Sequence, residues 1–272
     1  RDRALSILSP IVLLGIWEAG AIVGLVDTRF FPAPTKIFVA LWELVRSGEM
    51  LGHVAISLQR ILIGFVLGAV PGIAIGLAVG LFPVVRAVVQ PLVDATFPIP
   101  KIALLPMMFL LFGIGEGSKY AIIATAVVFL VLINTEAGVR NIERIYFDVA
   151  RNYGASRRMF FTDVALPGAL PMIMAGLKLG MGVALIVIVA AEFVGAKSGI
   201  GYFIWNSWSI FQVEWMYAGL MVTAILGFAS AVVLGAVERA LIPWKDAQRP
   251  MAEAIQLIRD PRAGSSSRRP SA

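Results

Sequence analysis

An ionisable side chain at the centre of a bilayer costs at least about 2.5–3.5 kcal/mol on insertion scales, so one inside an apolar run is a functional candidate. Glu18, Arg60, Asp94, Lys101, Glu136, Lys178 and Glu192 stand within or at the edges of such runs. Their chemistry would be charge recognition along a pathway. Arg60, Lys101 and Lys178 are cations able to attract an anion. Glu192 directly precedes the Gly- and aromatic-rich stretch "FVGAKSGIGYFIWNSW", which reads either as an interfacial aromatic belt or as a gate. Arg60, Asp94, Lys101, Lys178 and Glu192 form the candidate substrate-pathway set. Arg60 and Glu136, near span ends, are expected to snorkel to water, and Asp94 and Lys101, seven apart on one expected helix face, to neutralise each other. A competing use is ion coupling in a secondary carrier, with Glu18 and Glu192 binding protons or cations.

Other chemistries lack their residues. His53 is the single histidine and there is no cysteine, which excludes disulfides, thiolate chemistry within the chain and most zinc sites. A phosphate-cradling loop needs G-x-x-x-x-G-K-[ST]; the nearest look-alike, Gly195 to Ser198, has Ala196 before Lys197 and no preceding strand pattern. No constellation of His, Asp, Ser or metal ligands suggests an enzyme. The expectation is no catalytic residue, no metal and no cofactor in this chain.

The elements that must position these residues are transmembrane helices. The chain is 59% hydrophobic and 15% charged, with a mean hydropathy of +0.86. An all-α integral membrane protein follows. Six segments have the roughly 20 apolar residues a span needs, near 5–26, 56–82, 91–113, 119–139, 170–194 and 216–242. The first is read as a retained helix rather than a signal peptide, because it contains Glu18 and lacks a small-residue cleavage site. Residues 1–245 form one membrane domain, and the polar, basic tail 246–272 is expected to be partly disordered or to meet anionic lipid.

Lysines and arginines number about fifteen on the side of both termini against about five opposite, which places N- and C-termini in the cytoplasm. The net charge of +6 reflects this orientation, and no nucleic-acid partner is needed to explain it. Between the first two spans, "FPAPTKIFVALWELVRSGEML" is too polar to cross and reads as an interfacial helix opened by Pro34 and Thr35. In the second span, Gly64, Gly68, Gly72, Gly76 and Gly80 recur every fourth residue and make a ridge for close helix approach, either packing within the chain or a sliding or dimer surface, while Pro71 argues for a kink. Pro98, Pro100 and Pro106 interrupt the third span, and irregular backbone at membrane depth requires cover by protein or water.

The fourth connection, "DVARNYGASRRMFFTDVALPGALP" (148–171), is charged, helix-patterned and cytoplasmic by the charge count. Val149, Tyr153, Phe160 and Val164 share a face at helical spacing, suited to lipid or to a partner's groove. Gly154 is expected to divide the segment into two short helices, and Pro167 and Pro171 to start the next span. With Asp148 and Ala150, Gly154 at its distance, and Val164, Leu166 and Pro167 closing it, the stretch resembles the EAA loop of binding-protein-dependent ABC importer permeases. Asp148, Val149 and Val164 replace the motif's Glu, Ala and Ile. The resemblance extends through "FPAPTKIF", "SLQRILIGFVLG", "FPIPKIALLPMMFLLFGIGEGSK", "AAEFVGAKSGIGYFIW" and "VERALIPW", and points to the nitrate, sulfonate, taurine and bicarbonate branch.

The resemblance implies a MetI-like permease fold in a bacterial inner membrane. It implies two copies of a cytoplasmic ABC ATPase as partners, an extracytoplasmic solute-binding protein and a second permease copy. It also assigns coupling to the ATPase to Asp148, Ala150, Tyr153, Gly154, Arg157, Arg158, Phe160, Val164, Leu166 and Pro167, and a small anionic solute as cargo.

Overall fold

The computed structural model describes residues 2–244, with side chains from residue 8; the expected polar tail lies outside the described residues. Among these residues there is no strand. Eleven helices follow in order: α1 (Asp2–Ile22), α2 (Pro34–Arg46), α3 (Glu49–Leu81), α4 (Pro83–Thr96), α5 (Leu105–Phe112), α6 (Glu116–Arg140), α7 (Arg144–Asn152), α8 (Arg157–Phe160), α9 (Leu166–Gly195), α10 (Ile200–Ser209) and α11 (Val213–Leu241). A 3₁₀ turn, Lys101–Leu104, leads into α5, and a π turn, Phe161–Ala165, leads into α9.

The core is a packed trio, α3, α6 and α9. The glycine ridge faces α6: a Cβ at Gly68 would lie 2.6 Å from the Ala124 carbonyl oxygen, and one at Gly76 2.6 Å from Leu132 O and Thr135 Cβ. Gly64 meets Ile123 and Gly80 meets Val139, so the two helices run parallel along the whole ridge. In a membrane, where lipid is as apolar as leucine, backbone proximity of this kind replaces the hydrophobic drive between helices. The α6–α9 contact is antiparallel and uses the same device, with Gly138 against Ala169 and Met172, and Gly176 against Val131 and Asn134. The ridge therefore serves packing within the chain. Helix α3 also passes Pro71 as one uninterrupted element.

One expectation about spans is corrected. Four helical stretches are long and apolar enough to cross a membrane, within Glu49–Leu81, Glu116–Arg140, Arg157–Gly195 and Val213–Leu241. The third expected span is instead a bent pair, α4 and the Lys101–Phe112 stretch, meeting at 90°. Its cause is local: Pro98 and Pro100 remove donors where the turn would continue, and Pro106 suits the first turn of α5. The first expected span corresponds to α1. The interfacial helix is present as α2, burying Pro34, Ile37, Ala40 and Leu44 at helical spacing. Glu18 anchors its start by accepting from the Thr35 backbone N–H at 3.0 Å and hydroxyl at 2.8 Å.

Candidate functional site

Because α3 and α6 run parallel and α9 antiparallel, the bundle has two chemically different ends. At one end the start of α3, the start of α6, the end of α9 and all of α10 meet. Glu192 is fully buried there and Arg60 is 3% exposed. Arg60 Nη1 donates to Glu192 at 2.8 Å and to the Ser198 carbonyl at 2.6 Å, while its Nε and Nη2 make a two-point contact with Glu116, each at 2.6 Å. Lys119 Nζ adds a contact of 3.4 Å to Glu116. A guanidinium fork shared between two carboxylates satisfies charge and hydrogen-bond geometry together, which is what a buried ion pair requires.

The same cluster caps α10. The first N–H groups of a helix have no partner inside it. Here Gly199 N–H donates to His53 Nδ1 at 3.0 Å, Ile200 N–H to Ser57 Oγ at 2.8 Å and Gly201 N–H to Glu192 at 2.8 Å. Ser57 Oγ also lies 2.8 and 2.9 Å from the two Glu192 oxygens. His53, Ser57 and Arg60, spaced four and three apart on one face of α3, thus hold α10 from across the bundle. Gly199 has φ +113° and a Cβ there would strike the Glu192 carboxyl, so no other residue fits. Tyr202, Trp205 and Trp208 follow on α10; Trp205 stacks near Phe193 and Trp208, with ring centres 5.5 and 4.9 Å apart.

At the opposite end, α7 stops in a Schellman turn: Gly154 has φ +66°, its N–H reaches Arg151 O at 3.1 Å, and Ala155 N–H reaches Ala150 O at 2.9 Å. The division expected at Gly154 is present. Ser156 then caps α8 by accepting from Met159 N–H at 3.2 Å. The shared stripe read from spacing does not survive the turn. Val149 and Tyr153 are exposed, Tyr153 at 88%, whereas Phe160 folds back on Phe147 with ring centres 5.1 Å apart. Asp148, Arg157 and Arg158 are exposed and Ala150 half-buried; Val164 belongs to the π turn, and Leu166 and Pro167 open α9. A cavity of about 840 Å³ opens between this segment and the end of α3, lined by Phe82, Asp148, Ala150, Arg151, Arg157 and Phe161 among others.

The remaining intramembrane charges separate. Arg60 does not snorkel; it is the centre of the buried cluster. Asp94 and Lys101 do not neutralise each other, because the 90° break puts them on different elements. Asp94 accepts from Gln90 at 2.9 Å, and Lys101 Nζ donates to Thr96 O and Phe97 O at 2.9 and 3.2 Å, 4.3 Å from the centre of the Phe129 ring. Lys178 pairs with Glu238 of α11. Among the described residues no carboxylate forms an ion pair with Lys101. Glu136, 6% exposed, is held by Arg140 at 3.3 Å and Arg86 at 3.6 Å. No cluster of His, Asp and Glu with metal-binding geometry occurs among the described residues.

His53, Ser57, Glu116, Lys119, Ser198 and Arg86 escaped the sequence reading. The first two had a signal, the His-x-x-x-Ser-x-x-Arg spacing on one face of α3. The others meet Arg60 and Glu136 only through chain folding.

Residues 71–246 match the family of binding-protein-dependent transport system inner membrane components. The chain belongs to this family. The permease is 38% identical to the aliphatic sulfonates transport permease protein SsuC of Escherichia coli (strain K12), over 88% of this chain and 90% of that one. It is 34% identical to the taurine transport system permease protein TauC of the same organism, over 90% of each. Among solved structures, a chain of the MetNI methionine ABC transporter in inward-facing conformations has the same fold, with a TM-score of 0.59 at 20% identity, covering 74% of this chain and 96% of that one. The permease is thus a multi-pass membrane subunit of an ABC importer, a family that works with ATPase and solute-binding proteins.

Proposed function

We propose that two copies of this permease form a translocation pathway for a small organic anion bearing a sulfonate or similar group, driven by ATP hydrolysis in a separate subunit docked on α7 and α8. The observation that carries this reading is the coupling segment itself. It is fixed at its centre by a Schellman turn and a serine cap, and it presents Val149, Tyr153, Arg157 and Arg158 outward. Apolar contact area with flanking charge is what a specific docking surface offers. The charge count of the connections supports a cytoplasmic position for this end and for both termini.

Dimerisation is supported by the broken span. Residues 94–100 are exposed in the isolated chain, and lipid cannot satisfy irregular backbone, so a second copy or a water-filled path must cover them. Lys101 sits at this break and Thr96 and Phe97 carbonyls hold it. It is the pathway residue with charge to offer an anion. The relatives named for aliphatic sulfonates and taurine suit that cargo.

The test is uptake of radiolabelled taurine and a short alkanesulfonate by cells expressing the permease with its ATPase and binding protein. Saturable, vanadate-sensitive uptake is expected, and Lys101→Ala should lower it at least severalfold with membrane level unchanged. Uptake driven by an ion gradient without ATP, or full transport by Lys101→Ala, would contradict the mechanism or the pathway assignment respectively.

A further inference from the structure

We infer that the α7 end of the bundle holds one anionic phospholipid of the adjoining leaflet, its phosphate on Arg140 and Arg144 and an acyl chain along α3. Beside the coupling cavity, and sharing Leu81, Phe147, Asp148 and Phe160 with it, a second cavity of about 590 Å³ lies where α3 and α6 end and α7 begins, with Arg86, Arg140 and Arg144 on its wall. Three guanidiniums, of Arg86, Arg140 and Arg144, share it with one carboxylate, that of Asp148. Glu136, behind it, is engaged by Arg140 and Arg86, and Arg86 also caps α3 through the Val79 and Gly80 carbonyls at 3.2 and 2.9 Å. Arg140 remains 60% exposed, and Arg144 is exposed and forms no ion pair among the described residues. The uncommitted charge is therefore positive.

The chemistry next to it selects a lipid over a small ion. A groove of about 490 Å³, almost wholly apolar, runs along α3 through Val70, Ala74, Ala78 and Leu81 to Phe82 and Phe161. Leu81 lines both spaces, so the groove reaches the edge of the arginine cavity. From Val70 to Leu81 the helix rises roughly 16 Å, close to the half-thickness of about 15 Å of a bilayer's hydrocarbon core. Basic pockets between transmembrane helices at the headgroup level, continuous with acyl-chain surface, recognise anionic headgroups. The carboxylate of Asp148 on the same cavity is the one feature that would instead favour a zwitterionic headgroup, and the test separates the two.

Full-length permease would be extracted from membranes, exchanged into detergent with phosphatidylglycerol or phosphatidylethanolamine, and examined by native mass spectrometry for retained lipid. One phosphatidylglycerol per chain is expected to survive, with phosphatidylethanolamine lost first. At about 1 kcal/mol per arginine near the surface, Arg140→Gln with Arg144→Gln should weaken retention roughly thirty-fold. Arg144→Lys should largely keep it, and Arg46→Gln at the other end should not alter it. Because Arg140→Gln also removes a partner of buried Glu136, Arg144→Gln alone, which removes no ion pair among the described residues, should still weaken retention severalfold and keeps the result independent of folding. Equal retention of both lipids, or retention indifferent to the arginine variants, would overturn the inference. So would displacement by millimolar inorganic phosphate with no preference for lipid, or protection of the arginines only when the ATPase subunit is added, since that would assign the cavity to free phosphate or to a protein partner.

Discussion

At the scale of single residues, the ionisable groups inside the bundle divide by whether their charge is already matched. Arg60, Glu116 and Glu192 are consumed by one another and by the first turn of α10. Removing one partner of such a buried set leaves the others uncompensated, so Glu192→Ala should cost about 3–5 kcal/mol. It also strips Gly201 N–H and Ser57 Oγ of their acceptor. The expected readout is a thermal unfolding midpoint in detergent lowered by many degrees, with α10 becoming accessible to protease; an unchanged midpoint would mean that the cluster does not hold α10. Sequence alone placed Arg60 and Glu192 as candidates because charge inside an apolar run is conspicuous. It could not pair them, since 132 residues separate the two and nothing in their local patterns refers to each other. Lys101 is the contrasting case. Its nearest groups are carbonyls and a phenyl ring, which orient an ammonium without neutralising it.

At the scale of elements, the fold rests on how closely backbones approach. Gly68→Val would push a branched side chain onto the Ala124 carbonyl and Val127, where a Cβ alone would already come within 2.6 and 2.9 Å. Helix α6 would have to move away, at a cost of about 1–3 kcal/mol or more. Gly182→Val, with nothing within 4 Å, is the matched control and should be near neutral in the same unfolding measurement. If the two behaved alike, the ridge would not be the basis of the α3–α6 contact. The ridge was legible because a period of four in glycine has one geometric meaning on a helix. Its partner was not, since any of the other apolar helices offers a similar surface. The turn at Gly154 was legible for the same local reason, whereas the stripe drawn through it failed, because helical spacing loses meaning once the chain reverses at positive φ. The third span shows a further limit: its prolines announced a break, and the right angle between its halves depends on packing around it.

At the scale of the whole molecule, the two ends of the bundle have opposite tasks. The α10 end is pinned by buried charge, and the α7 end, apart from buried Glu136, keeps most of its charges and several large side chains exposed, as the proposed docking requires. An importer needs this asymmetry, since ATP can shift a conformational equilibrium only through contacts that differ between states. Those contacts have to reach the bundle through a rigid segment, which the cap at Ser156 and the turn at Gly154 provide. The most direct measurement is therefore ATP-driven uptake by proteoliposomes holding the permease and its ATPase, comparing wild type with Gly154→Val and Asp148→Lys. A branched residue at φ +66° is a conformational outlier. Both variants are expected to insert and remain folded, yet to lose co-purification with the ATPase or to hydrolyse ATP without uptake. Normal coupled uptake by both would contradict the proposed docking.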